Sequence, residues 1–300
     1  MLRLTIRQMQ YFEGLAQALH FGRAAAAMGV TQPALSAQIA EMESQLGFPL
    51  FERGAGRVRL TEEALTLKPR IERILAEVQD LESFARRERK VLEGRFRLGI
   101  IPTIAPYLLP ELLPRLKQGF PGLQLEVREA VTGTLIEETD NGRLDGMIAA
   151  DPIVEPRLAY QSLFEDAFHL AVPEAEAERI APPVAQESMA LERLMLLEDG
   201  HCMRGQALAV CGMVKPVTME SFGATSLTTL LQMVSHGMGV TLIPEMARKT
   251  AALLPGLRIL PFAAPGPSRT ICLAWRRSNP RQADLAALCG IVKEANQAIT

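Results

Sequence analysis

From residue 95 onward the chain alternates short apolar runs with amphipathic stretches, and this alternation constrains the fold more than any other feature. Residues 96–101 read as a strand, 110–118 as the start of a helix, 123–127 as a strand, 134–141 as a helix and 144–149 as a strand. Strands separated by helices of this length argue for a parallel sheet with crossover helices. The pattern resumes over 168–242, and 270–275 forms a late strand. Two α/β halves are expected. A ligand of such a fold binds beyond the carboxyl ends of the strands, and residues 102–106 lie in that position after the first strand.

The first ninety residues are different, and the length of 300 residues suits about two domains. Ile6, Met9, Phe12, Leu15 and Ala16 repeat at helical spacing. A short alanine-rich helix over 21–28 follows, then a turn at Gly29-Val30. Thr31 caps a third helix with Pro33 in its first turn, and Leu35, Ile39, Met42 and Leu46 face inward. This is the pattern of a helix-turn-helix, although an ordinary helical hairpin fits it too. Its second helix would present Gln32, Pro33, Ser36 and Gln38 outward, side chains suited to base edges and phosphates. Thr61 starts a long helix in which Leu67, Ile71, Ile74, Val78, Leu81 and Ala85 form an a/d seam for a partner helix or a stripe packed on its own domain. Pro69 is expected to kink or break it. The charge-rich 86–90 reads as a solvated helix end and hinge.

Net charge is −2, which gives no global signal for nucleic acid. Residues 1–60, however, carry six arginines against four glutamates, a balance of +2 that leaves −4 for the rest. Arg53, Arg57 and Arg59 cluster, and a local basic patch matters more for DNA than net charge does. No apolar run reaches the roughly 18 residues of a membrane span. The first residues lack the apolar core of a signal peptide, so a cytoplasmic protein without membrane association is expected. Four cysteines in a chain of this length are no disulfide framework there. Cys272 and Cys289 fall in apolar runs and read as packing residues.

The other two cysteines sit in the most unusual stretch. Residues 194–197 read as a buried strand, 198–200 as a turn and 201–210 as a helix stopped by Gly212. Cys202 then lies in the first helical turn, near His201 and Arg204, where the helix dipole and cationic neighbours favour a thiolate. Cys211 lies nine residues on. Nine residues of ideal helix span about 13.5 Å and leave the two on opposite faces, whereas a disulfide needs Cα atoms within about 7 Å. The pair is either a switch that bonds only by refolding or two core cysteines. No ligand spacing joins these cysteines to the four histidines, so neither a metal nor another cofactor is expected.

The run Leu-Glu-Asp-Gly-His-Cys at 197–202, with Arg204, Gln206 and Cys211, resembles the redox centre of the peroxide-sensing LysR-type transcriptional regulators. Phe21, Ala24-Ala25, residues 31–36, Ile39, Glu43, Leu46-Gly47, residues 50–53 and Leu60-Thr61 are similar to the winged helix-turn-helix of the same family. The resemblance implies an all-α/winged-helix DNA-binding domain over 1–60 and a linker/dimerisation helix over 61–92. It implies a periplasmic-binding-protein-like α/β effector domain of two subdomains over 93–300, with subdomain I about 93–163 and 268–300 and subdomain II about 164–267. It implies Cys202 as the peroxidatic and Cys211 as the resolving cysteine. Thr103, Thr132, His201, Gln206 and Arg269 would hold peroxide or polarise the sulfur, and Arg53 and Arg57 would lie in the wing, near backbone phosphate. Implied partners are double-stranded operator DNA, hydrogen peroxide, further copies of the chain as a dimer of dimers, and RNA polymerase. A regulator of this kind consumes peroxide as a signal and is not an enzyme. Two alternatives stand beside it. One is a LysR-type regulator of a small organic effector with incidental cysteines. The other is a thiol peroxidase, opposed by the helix-turn-helix and by the missing Pro-x-x-x-Thr-x-x-Cys spacing.

Overall fold

The computed structural model describes residues 4–54, 57–85, 90–186, 188–210 and 224–299, with side chains omitted at 53, 54, 57, 82–85, 189 and 190. Cys211 therefore lies outside the described residues, as do the side chains of Arg53, Arg57 and Ala85. The chain divides into two compact units, residues 1–87 with 141–143, and residues 88–140 with 144–300.

In the first unit, α1 (Ile6–Ala18), α2 (Phe21–Ala27) and α3 (Gln32–Leu46) are each set by a local cap. Thr5 and Gln8 form a capping box, the His20 ring accepts from Arg23 N, and Thr31 Oγ1 accepts from Ala34 N. Gly29 has φ +65° in the turn between α2 and α3, a conformation that glycine adopts without penalty. Phe12, Leu15, Leu35, Ile39 and Met42 close the core between the helices. Strands β1 (Phe51–Gly54) and β2 (Arg57–Leu60) pair antiparallel as the wing.

Helix α4 (Glu62–Ala85) begins where Thr61 Oγ1 accepts from Ala64 N. It runs through Pro69 unbroken, contrary to a break there; the hydrogen bond that Pro69 forfeits falls beside the exposed Leu65. The expected seam also divides. Ile71 is buried in the core of its own unit, together with Leu75, whereas Ile74 and Leu81 are exposed. A 3.5-residue repeat drifts round a straight helix, so one end of the stripe meets the domain and the other leaves it.

The second unit contains β3 (Gly94–Ile100), α5 (Ala105–Gly119), β4 (Leu123–Glu129), α6 (Thr132–Asp140), β5 (Gly146–Ala150), β6 (Leu158–Pro173), α7 (Glu174–Ala177), α8 (Cys202–Val210), α9 (Leu227–Ser235), β7 (Thr241–Pro244), α10 (Glu245–Ala251), β8 (Leu257–Pro261), β9 (Ser268–Arg276) and α11 (Gln282–Ile299). Helix α5 starts five residues before the expected position because Pro106 suits a first helical turn. Strands run in the order β4-β3-β5-β9-β6-β7, with β8 also on β6. Only β4, β3 and β5 are parallel; β9 pairs antiparallel with both β5 and β6, and β6 antiparallel with β7 and β8. The strands within 94–150 thus pair in parallel as the alternation there implies, while β6 and β9 cross between the halves and run antiparallel to their neighbours.

Two cores result. Leu158 and Leu163 of β6 belong to the first, while Phe168, Leu170 and Val172 of the same strand belong to the second. Residues 194–197, expected as a strand, make only isolated parallel bridges, Leu194 to Val240 and Leu197 to Ala224, though all four are buried. Among the described residues no helix is long and apolar enough to cross a membrane.

Candidate redox site

The parallel strands β4, β3 and β5 end side by side, at the position where open α/β sheets bind ligands. Thr132 opens α6 after β4, Thr103 follows β3, and Asp151 follows β5. Helix α8 of the second half brings its own residues to the first. Met203 and Ala207 enter the second core, whereas Cys202 packs against the first. Gln206, one turn from Cys202 and on the same face, donates from Nε2 to the Asp151 carbonyl at 3.2 Å. The turn before α8 depends on Gly200, whose φ of +93° a side chain would strain; a Cβ there would stand 3.6 Å from Val131, the neighbour of Thr132. Cys202, Gln206, Thr132 and Asp151 are thereby collected at one seam.

Arg269 is fixed by strand register. It lies directly across from Asp166 in the β6–β9 ladder, and Nε and Nη2 donate to Asp166 Oδ2 at 3.0 and 2.9 Å. The other oxygen, Oδ1, accepts from Met246 N in the first turn of α10. Nη1 donates to Thr103 Oγ1 at 2.8 Å, and Nη2 to the Thr103 carbonyl at 3.1 Å. Both charged side chains are buried, and the Phe168 ring lies 5.8 Å from the guanidinium. Arg269 is thus a clamp on Thr103, its charge balanced by Asp166, rather than a free cation. With its oxygen accepting from Arg269, the Thr103 hydroxyl keeps its hydrogen available to donate.

The cationic setting expected for Cys202 needs revision. Burial pushes the His201 imidazole below its ordinary value, against an opposing pull from Glu198, which favours the neutral ring. Arg204 spends its guanidinium on Asp199 at 2.8 Å and on the Leu197 carbonyl at 3.1 Å, bracing the turn. What remains at Cys202 is its place as the first residue of α8, at the positive end of the helix dipole. Cys272 and Cys289 are buried, and burial raises both thiols. Among the described residues no group of three or more His, Cys, Asp or Glu could hold a metal ion.

On the first unit, Gln32 and Pro33 are exposed at the start of α3 and Ser36 is half-buried on the same side. Gln38 is also exposed, but two residues past Ser36 it lies about 200° further round the helix, across the buried Leu35–Ile39 stripe. It does not share their face. In the wing, Arg59 is exposed.

Asp151 and Asp166 are the site residues that pattern reading missed. The first had a signal, an acid straight after the wholly apolar β5; the second had none, since only register sets it opposite Arg269.

Known proteins agree with this organisation. The family model described as the bacterial regulatory helix-turn-helix protein, lysR family, matches residues 6–65, and that of the LysR substrate binding domain matches residues 89–297. The hydrogen peroxide-inducible genes activator of Dickeya chrysanthemi is 37% identical over 298 residues, covering 98% of this chain and 96% of that protein. A full-length OxyR variant from Pseudomonas aeruginosa aligns with a TM-score of 0.81 at 33% identity, over 97% of this chain and 98% of that one. A hydrogen peroxide-bound OxyR mutant from Corynebacterium glutamicum gives 0.68 at 31% identity, over 99% and 94%. The chain belongs to the LysR family of bacterial regulatory helix-turn-helix proteins, with OxyR regulators among its relatives.

Proposed function

We propose that this chain is a cytoplasmic transcriptional regulator that senses hydrogen peroxide through Cys202 and controls oxidative-stress genes. The observation that carries the reading is Cys202 itself, first residue of α8 and packed against the core of the opposite half, the half whose strands β3 and β4 lead into Thr103 and Thr132. The Cys202 thiolate attacks one peroxide oxygen, the O–O bond breaks, and hydroxide leaves to become water, giving a sulfenic acid. The Thr103 hydrogen is suited to stabilise the departing oxygen. The Cys211 thiol then attacks that sulfur and a second water leaves, so that two thiols and one peroxide become one disulfide and two waters. Helix α8 would have to unwind for this step. The refolding is the two-state element that would alter operator contacts. Peptide mapping after one equivalent of peroxide tests the reading: a Cys202–Cys211 bond is expected, with Cys272 and Cys289 still reduced. No such bond would favour a sensor of a small organic effector, and turnover with added reductant would mark a peroxidase.

On DNA, Gln32 and Ser36 would read bases from α3 while Arg53, Arg57 and the exposed Arg59 meet phosphate. Gln32→Ala should relax sequence preference, and Arg59→Ala should weaken all sites alike and lower the log–log salt slope by about 0.9. Gel-shift titrations on cognate and scrambled operators at several salt concentrations separate the two; unchanged discrimination in Gln32→Ala removes that residue from readout.

Ile74 and Leu81, exposed on α4, support a homo-oligomer through this helix, assembled as a dimer of dimers and able to meet RNA polymerase beside the operator. Glutamate at both positions should give a monomer in sedimentation velocity. A variant that stays oligomeric assigns the interface elsewhere.

A further inference from the structure

Asp151 has no part in the reading so far, yet it is held at the site from two sides. Its N–H donates to the Thr270 carbonyl at 2.9 Å and its carbonyl accepts from Gln206 Nε2. That contact fixes which way the Gln206 amide points, since a flip would set its oxygen against a carbonyl. Carboxylate oxygen Oδ1 of Asp151 is buried with no donor among the described residues, and Oε1 of Gln206 is in the same condition. Thr132 Oγ1 is a third buried atom without a partner among the described residues. Buried polar groups are nearly always bonded, so orphans gathered at one seam mark where a ligand or its waters supply hydrogens.

The polarity of the set is selective. The carboxylate and amide oxygens of Asp151 and Gln206 only accept, while Thr103 presents a hydrogen and Thr132 can do either. The complement is a small molecule with two hydroxyl hydrogens as well as accepting lone pairs. Hydrogen peroxide has both. An alkyl hydroperoxide has one O–H and carries carbon where the second would bond, leaving an acceptor unpaired. An organic carboxylate would set oxygen lone pairs against oxygen lone pairs. Resting on the peroxide reading above, we propose that Asp151 is a specificity-determining residue: its Oδ1, acting with Gln206 Oε1, takes one hydroxyl hydrogen of hydrogen peroxide and so selects it over alkyl hydroperoxides.

The test uses the reduced full-length chain. Sulfenic acid formation at Cys202 is trapped with dimedone and timed by the mass of its peptide, with hydrogen peroxide and with tert-butyl hydroperoxide. Asp151→Ala should slow the reaction with hydrogen peroxide about tenfold and leave that with tert-butyl hydroperoxide within about twofold. Asp151→Asn, which keeps an accepting oxygen, should recover most of the preference. Gln206→Met, nearly isosteric, should move the ratio as alanine does at 151, which keeps the test independent of how the alanine variant folds. An unchanged ratio, or an equal loss with both oxidants, overturns the assignment. The peroxide reading itself is judged on the unaltered chain: it fails if Cys202 there reacts no faster than Cys272.

Discussion

Cys202→Ser is expected to abolish the response to peroxide: no sulfenic acid at this site, no disulfide, and the same operator footprint before and after oxidant. Serine keeps the size and hydrogen-bonding capacity of the side chain, so reduced-state DNA binding should be untouched. The loss should be total because the other thiols are poor substitutes. Cys272 and Cys289 are buried, and burial raises both, so each is short of thiolate and of access. Cys211→Ser should differ in kind. Cys202 should still oxidise and be trapped as the sulfenic acid, but the intramolecular bond should not form. In the unaltered chain, amide exchange over Cys202–Val210 should rise on oxidation, since α8 must open for its first residue to reach Cys211. A footprint that still shifts in Cys202→Ser would remove this cysteine from the switch. A disulfide with exchange unchanged would keep the bond and sink the refolding.

What sequence could show was whatever is set by chemistry within a few residues. The turn at Gly29, the Thr31 cap and the start of α8 after Gly200 are local, and each stands where the pattern placed it. The two α/β halves were legible for the same reason. Strand direction was not: β9 reads as one more apolar run, and nothing in it tells that it pairs antiparallel with β5 and β6. The heptad of α4 was legible as periodicity but not as a division of labour, because Ile71 and Ile74 look alike in sequence and only one is covered by its own unit. At the site, Cys202 announced itself by its neighbours, yet how those neighbours are engaged was not legible. Burial lowers the His201 imidazole further below neutrality and Arg204 pairs with Asp199, outcomes decided by packing.

Arg269 shows how far a role can shift when its partner becomes visible. The family resemblance implied that it holds peroxide or polarises the sulfur; paired with Asp166 it is a brace that aims Thr103. Arg269→Met should leave the Asp166 carboxylate buried with Met246 N as its remaining donor among the described residues, at a cost of about 3–5 kcal/mol. For a unit of some two hundred residues that corresponds to a fall in Tm of roughly 6–20 °C. The reaction of Cys202 with peroxide should slow as well, because Thr103 loses the donor that orients its hydroxyl. A second variant separates these effects. Replacing both charges, Arg269→Met with Asp166→Leu, removes the stranded carboxylate, and buried pairs replaced by apolar residues commonly regain their stability. The double variant should therefore melt close to the unaltered chain while reacting as slowly as the single one. Differential scanning calorimetry and sulfenic acid trapping read the two quantities independently. If the double variant regained its rate along with its stability, Arg269 would be a structural residue alone, and Thr103 would need no clamp to do its work.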